Sequence, residues 1–183
     1  MNKGRSELKT LMLRAPALTL AAAESMTCGR VQARAGEISG ASDFFLGGIT
    51  AYALEQKVAH LGVNRAAARK VNGVSAAVAE EMARGACELF GSDLSVATTG
   101  YAEPNATLKI AEPFAWWAIA HRRRPFGRLG STRLTAGRAG GKFVVVRSGR
   151  VECPGATRTD AQAFVADAVM AELIAYLREL RCR

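Results

Sequence analysis

Histidine and cysteine are scarce in this chain: there are two of the first and four of the second. Cys28, Cys87, Cys153 and Cys182 are far apart and form no CxxC pair. That spacing suits neither a zinc site nor a disulfide scaffold, so a reduced protein using no metal and no cofactor is expected. His60 and His121 have no neighbours that would make either the base of a Ser-His-Asp triad. GxSxG, GxxxxGK[ST], GxGxxG and HExxH are all missing, which removes the main support for elbow hydrolases, P-loop enzymes, dinucleotide folds and zincins. No run approaches the ~20 apolar residues of a membrane helix. The basic start and short apolar run of "MNKGRSELKTLMLRAPALTLAAAES" imitate a signal peptide, but Arg14 and Pro16 interrupt it. The expectation is therefore a cytoplasmic protein with no membrane partner.

What is present describes an ordinary folded chain. Its 183 residues, 49% hydrophobic and 22% charged with five prolines, suit one domain over 1–183 with a real core. The net charge is +9, and its densest cluster is "HRRRPFGR" at 121–128, within an Arg-rich 121–138 region. Aromatic residues make up only 7%, and no RNA- or DNA-binding signature surrounds the cluster. The charge is therefore read first as a solvated surface or a small-anion site, and nucleic acid as a lower-ranked partner.

Apolar patterning gives the elements. Residues 6–13 suggest a short helix, 17–23 a buried strand, and "TCGRVQARAGEI" a helix with Ser25 or Thr27 near its N-cap. "GGITAYAL" (47–54) reads as a strand running directly into Glu55–Lys57. In "SAAVAEEMARGACELFG", Ser75 caps a helix whose Val78, Met82, Ala86 and Leu89 share one face, and Gly91 stops it. Strands follow at 93–100, 114–120 and in "KFVVVRSG". A last amphipathic helix from Thr159 aligns Val165, Val169, Leu173, Leu177 and Leu180. Strands alternating with helices predict an α/β fold, a single three-layer α/β/α domain around a mainly parallel or mixed sheet.

In such a sheet, ligands sit where loops leave the carboxyl ends of strands. "ESMTCG", "GASDFFLGGITAYALEQK" and "TTGYAEPNAT" bring hydroxyls or a lysine beside glycine there. Without a histidine, a serine can be activated by a lysine whose pKa is depressed by burial. Tyr52 lies five residues before Lys57 and could relay a proton. Each residue also has a plain structural role: Ser25 and Thr27 as helix caps, Ser42 as a turn residue, Lys57 as a solvated side chain, Cys28 as a small buried one.

Taken in order, "AESMTCG", "GASDFFLGGITAYALEQKVAHLGV", "GVSAAVAEEMARGA" and "SDLSVATTG" resemble the CinA C-terminal domain family, the nicotinamide-nucleotide amidohydrolases. The likeness covers roughly 7–120. Its most specific part is the segment that sets Ser42, Phe45, Gly47, Gly48, Tyr52 and Lys57 in one register. The resemblance implies metal-free hydrolysis of the carboxamide of nicotinamide mononucleotide to nicotinic acid mononucleotide and ammonia. It implies Ser42 as nucleophile and Lys57 as general base, with Tyr52 and Ser25 assisting. Thr27, Gly48, Thr99, Gly100 and Arg158 would contact the substrate, a small pyridine nucleotide, and a homo-oligomer is compatible with it. The chain also departs from the family. Met26 and Cys28 replace a cysteine and a glycine, and Glu103, Ala106 and Thr107 stand where the family loop has glycines. These changes leave open a divergent member that has lost or altered activity and acts as a ligand-binding or regulatory protein.

Overall fold

The computed structural model describes residues 2–122 and 143–182. Its centre is β1 (Leu20–Glu24), a run of five fully buried residues with the sequence LAAAE. Burial of every side chain is what a strand covered by helices on both faces requires. The sheet order is β2 (Phe45–Thr50), β1, β3 (Leu94–Tyr101), β4 (Phe114–Arg122), β5 (Phe143–Glu152). β1 is parallel to both β2 and β3, whereas β3–β4 and β4–β5 are antiparallel, so the sheet is mixed.

Period-two alternation sends successive side chains into two cores. Leu20 and Ala22 of β1, Leu94 and Val96 of β3, and Trp117 and Ile119 of β4 pack with α1 (Asn2–Leu13), α2 (Arg30–Gly36) and α6 (Arg158–Arg181). Ala23, Ala97, Ala118 and Ala120 face the other way, toward α3 (Leu54–Leu61), α4 (Arg65–Lys70) and α5 (Ala76–Phe90). The expected stripe on the last helix holds: Val165, Val169, Leu173 and Leu177 are buried and Leu180 is partly so. Each such side chain contributes about 1.5–3 kcal/mol by leaving water.

Local signals explain several ends. The Ser75 hydroxyl accepts from the Val78 N–H, and Gly91 closes α5 in the left-handed region at φ 68°. Gly85 has a different reason to be glycine: a Cβ there would sit 2.1 Å from the Leu61 carbonyl oxygen at the end of α3. Alanine normally favours a helix by about 1 kcal/mol over glycine. Here the clash is with backbone that cannot rotate away, so Gly85→Ala should instead cost about 1–3 kcal/mol. A lowered thermal midpoint would show it.

Some boundaries differ from expectation. The apolar run 47–54 is not one strand: β2 ends at Thr50, and Leu54 opens α3, which carries Lys57 on a helix. The first crossover helix starts at Arg30, with Gly29 as its N-cap and no side-chain cap, so neither Ser25 nor Thr27 caps it. The four described cysteines are free thiols, and Cys28 is exposed rather than buried. Most of the Arg-rich region, 123–138, lies outside the described residues. Among the described residues no helix is long and apolar enough to cross a membrane.

Candidate active site

β1 feeds α2 on one face of the sheet, and β2 feeds α3 on the other. Adjacent strands whose connections leave toward opposite faces open a crevice at their carboxyl ends. Glu24 ends β1 there with no solvent exposure. Its Oε2 accepts from the N–H groups of Gly29 (2.9 Å) and Val31 (3.1 Å) and from the Thr27 hydroxyl (2.6 Å), and its Oε1 accepts from the Gln32 N–H (2.8 Å). The carboxylate thus supplies the negative charge and the acceptors that the start of a helix lacks. Thr27 is consumed in the same network, 2.7 Å from the Thr98 hydroxyl and fully buried. Its hydroxyl is therefore engaged within the fold.

On the opposite face, Lys57 is 3% exposed and donates to the Gly73 carbonyl and to Thr99 Oγ1, each at 3.1 Å. Thr99 donates in turn to the same carbonyl at 2.7 Å. Burial disfavours the ammonium form and lowers the Lys57 pKa to about 8. Among the described residues no carboxylate pairs with it. A neutral amine that has donated two N–H bonds keeps one function, its lone pair.

Ser25 joins this side. Its backbone N–H donates to the Thr98 carbonyl at 3.0 Å, carrying the β1–β3 ladder one step past Glu24. Alternation then assigns Ser25 to the face of Ala23 and Thr99, the face on which Lys57 sits. Ser25 is 5% exposed and its hydroxyl has no hydrogen-bond partner among the described residues. Ser92 Oγ is the single fully buried side-chain polar atom of those residues that lacks a partner, so solvent still reaches the Ser25 hydroxyl.

The remaining expected positions divide. Tyr52 is 53% exposed and its hydroxyl accepts from Arg158 at 2.7 Å. Arg158, the first residue of α6, also donates to Glu103 at 2.6 Å. This cluster lies at the carboxyl end of the sheet, and no hydrogen bond joins Tyr52 to Lys57, whose ammonium donates to the Gly73 carbonyl and Thr99. Gly100 ends up close to β4, where a Cβ would be 2.2 Å from the Phe114 carbonyl oxygen, so strand packing explains its lack of a side chain. Gly48 is in mid-strand opposite Ala22, and a Cβ there would collide with the Gln32 side chain.

Ser42 lies at the other end of the strand from Lys57. It is exposed on a 3-10 turn, Ala41–Asp43, ahead of β2, whose first residue pairs with Leu20 at the amino end of β1. Lys57 follows the other end of β2. The six residues of that strand put about 17 Å between the two ends. The lysine beside the Ser42 turn is Lys9, which donates to the Ser39 carbonyl at 2.9 Å. Among the described residues no three His, Cys, Asp or Glu side chains gather as metal ligands.

The family model described as the CinA C-terminal domain matches residues 4–132. The chain belongs to that family. A CinA-like protein of Salinibacter ruber is 47% identical over 92 residues, covering 50% of this chain and 22% of that protein. One of Chlorobium limicola is 32% identical over 169 residues, covering 92% of this chain and 36% of that protein. The chain thus spans well under half the length of these curated relatives. The solved competence-damaged protein (CinA) superfamily protein of Klebsiella pneumoniae 700603 superposes with a TM-score of 0.77 at 22% identity, over 97% of both chains. The competence/damage inducible protein CihA of Agrobacterium tumefaciens gives 0.71 at 21% identity, again over 97% of both. These likenesses establish the CinA fold for the mixed sheet and its helices.

One residue of the turn after β1 is strained. Cys28, which the sequence resemblance sets at a glycine position of the family turn, has a left-handed backbone at φ 52°. That region suits glycine and penalises a Cβ. Cys28→Gly is expected to raise stability by roughly 0.5–1 kcal/mol, the relief of strain exceeding the added freedom of the unfolded chain. Denaturant titration would measure it.

Proposed function

We propose that this CinA-family chain is an amidohydrolase of pyridinium carboxamides, the class that includes nicotinamide mononucleotide, with Ser25 as nucleophile and Lys57 as its base. The observation that carries the reading is Lys57, a buried lysine without a carboxylate partner among the described residues, on the face of the sheet to which strand alternation assigns Ser25. Lys57 Nζ takes the Ser25 proton as Oγ bonds to the carboxamide carbon. The first N–H groups of α3, which has no side-chain cap, are donors available to the developing oxyanion. Lys57 returns the proton to the departing nitrogen, and the C–N bond breaks to give ammonia and an acyl-serine. A water, deprotonated by Lys57, then adds to the acyl carbon and frees Ser25, leaving the carboxylic acid. The pyridinium ring assists by drawing electrons from the amide.

Only the neutral amine can start this sequence. The kcat/KM should therefore rise with pH through about 8 and then level. A profile flat from pH 6.5 to 9.5 would remove Lys57 from the base role. The direct test is ammonia release from nicotinamide mononucleotide and from nicotinamide riboside by the wild-type protein beside Lys57→Met. Turnover of either substrate that disappears in the variant supports the reading, whereas equal turnover in both proteins, or none in either, rejects it.

A further inference from the structure

Resting on that reading, we propose that Gln162 is a specificity residue whose side-chain amide hydrogen-bonds the ribose hydroxyls of the substrate. Its place follows from Arg158. The Arg158 guanidinium joins the Tyr52 hydroxyl to the Glu103 carboxylate. Tyr52 lies just past the end of β2 and Glu103 just past the end of β3, and β1 runs between those two strands. Arg158 therefore spans the crevice at the end of β1, which Ser25 follows. Gln162 is one turn further along α6, and residues four apart share a helix face. Helical side chains lean toward the helix N-terminus, so the long Gln162 side chain reaches back toward Arg158 and the crevice.

The Gln162 amide is enclosed but unanswered. The residue is 6% exposed, and among the described residues its amide has no hydrogen-bond partner. Ser92 Oγ is the one unpartnered side-chain polar atom of those residues that is sealed from solvent, so both amide atoms of Gln162 stay within reach of a ligand. Leaving a buried amide unpaired is unfavourable, and a polar ligand group removes the penalty. The other end of the substrate fixes its direction. Lys57 is covered by the turn that carries Gly73. A pyridinium with its carboxamide at Ser25 therefore extends its ring substituent away from Lys57, toward α6, which packs on the opposite face of the sheet. On an N-ribosyl pyridinium that substituent is a sugar bearing hydroxyls. A neutral amide both donates and accepts, which matches hydroxyls that do the same. A phosphate only accepts and is better met by Arg158, which keeps further N–H donors beyond those given to Glu103 and Tyr52. Gln162 thus selects for the sugar, phosphorylated or not.

The test compares dissociation constants by calorimetry for nicotinamide riboside and for N-methylpyridinium carboxamide, the same ring and amide without the sugar, on the wild-type chain, Gln162→Met and Gln162→Asn. Gln162→Met keeps the length and removes the hydrogen bonds, whereas Gln162→Asn keeps the amide and shortens its reach. Both should weaken the riboside roughly tenfold, the scale of one lost hydrogen bond, and leave the sugar-free ligand within about twofold of wild type or, as in wild type, below detection. Because the amide answers nothing in the fold, Gln162→Met should melt at or above the wild-type midpoint. Equal losses for both ligands, an unchanged riboside affinity in Gln162→Met, a clearly lowered midpoint in that variant, or no binding of the riboside by wild type would overturn the inference. Ammonia release from the riboside on the same samples separates the two ideas. The expected binding pattern without turnover upholds Gln162 and defeats the hydrolase reading, and turnover with the wild-type KM in Gln162→Met does the reverse.

Discussion

Ser25→Ala should reduce ammonia release by at least about a thousandfold in kcat, the scale on which enzymes lose rate when a nucleophile is removed. Ser42→Ala should stay within about twofold of wild type, an unengaged surface change. The contrast follows from β2 alone. Ser42 precedes that strand and Lys57 follows it, so a full strand length separates a hydroxyl at the amino end from an amine at the carboxyl end. Ser25 lies one step past the Glu24–Thr98 pair, on the face of the sheet that holds Lys57 and Thr99. Neither hydroxyl is a hydrogen-bond partner in the fold, so both variants should melt close to wild type, and activity alone distinguishes them. The reverse pattern, with Ser42→Ala inactive and Ser25→Ala active, would return the nucleophile to Ser42. It would also require a second copy of the chain to bring the two ends of the strand together.

The second large effect concerns stability. Glu24→Ala removes a buried carboxylate that answers three backbone N–H groups and one hydroxyl. Charge-assisted hydrogen bonds contribute about 1.5–3 kcal/mol apiece, but they are not additive, so a total loss of about 3–5 kcal/mol is expected. Glu24→Gln keeps one acceptor and turns an amide N–H₂ toward donors, so it should fall between the two. Denaturant midpoints with unchanged slope would establish the order. A loss under about 1 kcal/mol in Glu24→Ala would mean that water replaces the carboxylate at the start of α2.

Legibility in the sequence followed the range of the interactions involved. Ser75, Gly91 and the Val165–Leu177 stripe were readable because a cap, a left-handed stop and a helical face are each decided within a few residues. The layered α/β architecture was readable from the alternation of strands and helices. The end of β2 was not, because "AYAL" is apolar in either state and it is packing on α5 that turns Leu54 into the start of a helix. Glu24 was also hidden. No local capping rule reaches from Gly29 back to a strand residue five positions earlier, and the bond exists because the turn folds over it. The pairing of Ser42 with Lys57 looked natural at a separation of fifteen residues. An extended strand between them converts that short separation into the height of the sheet. Arg158 and Glu103 met because the start of α6 returns to the end of β3, a contact that only the finished topology provides.

The triangle of Lys57, Thr99 and the Gly73 carbonyl has a consequence for how such a protein adapts. Gly73 belongs to the turn between α4 and α5 and has a left-handed backbone at φ 69°, and any Cβ there would stand 3.2 Å from Lys57 Nζ. The amine is dry because that turn covers it, and its basicity follows from the fit of the cover. Drift in residues 71–74 can therefore retune the acidity at which the lysine works while every reacting group stays the same.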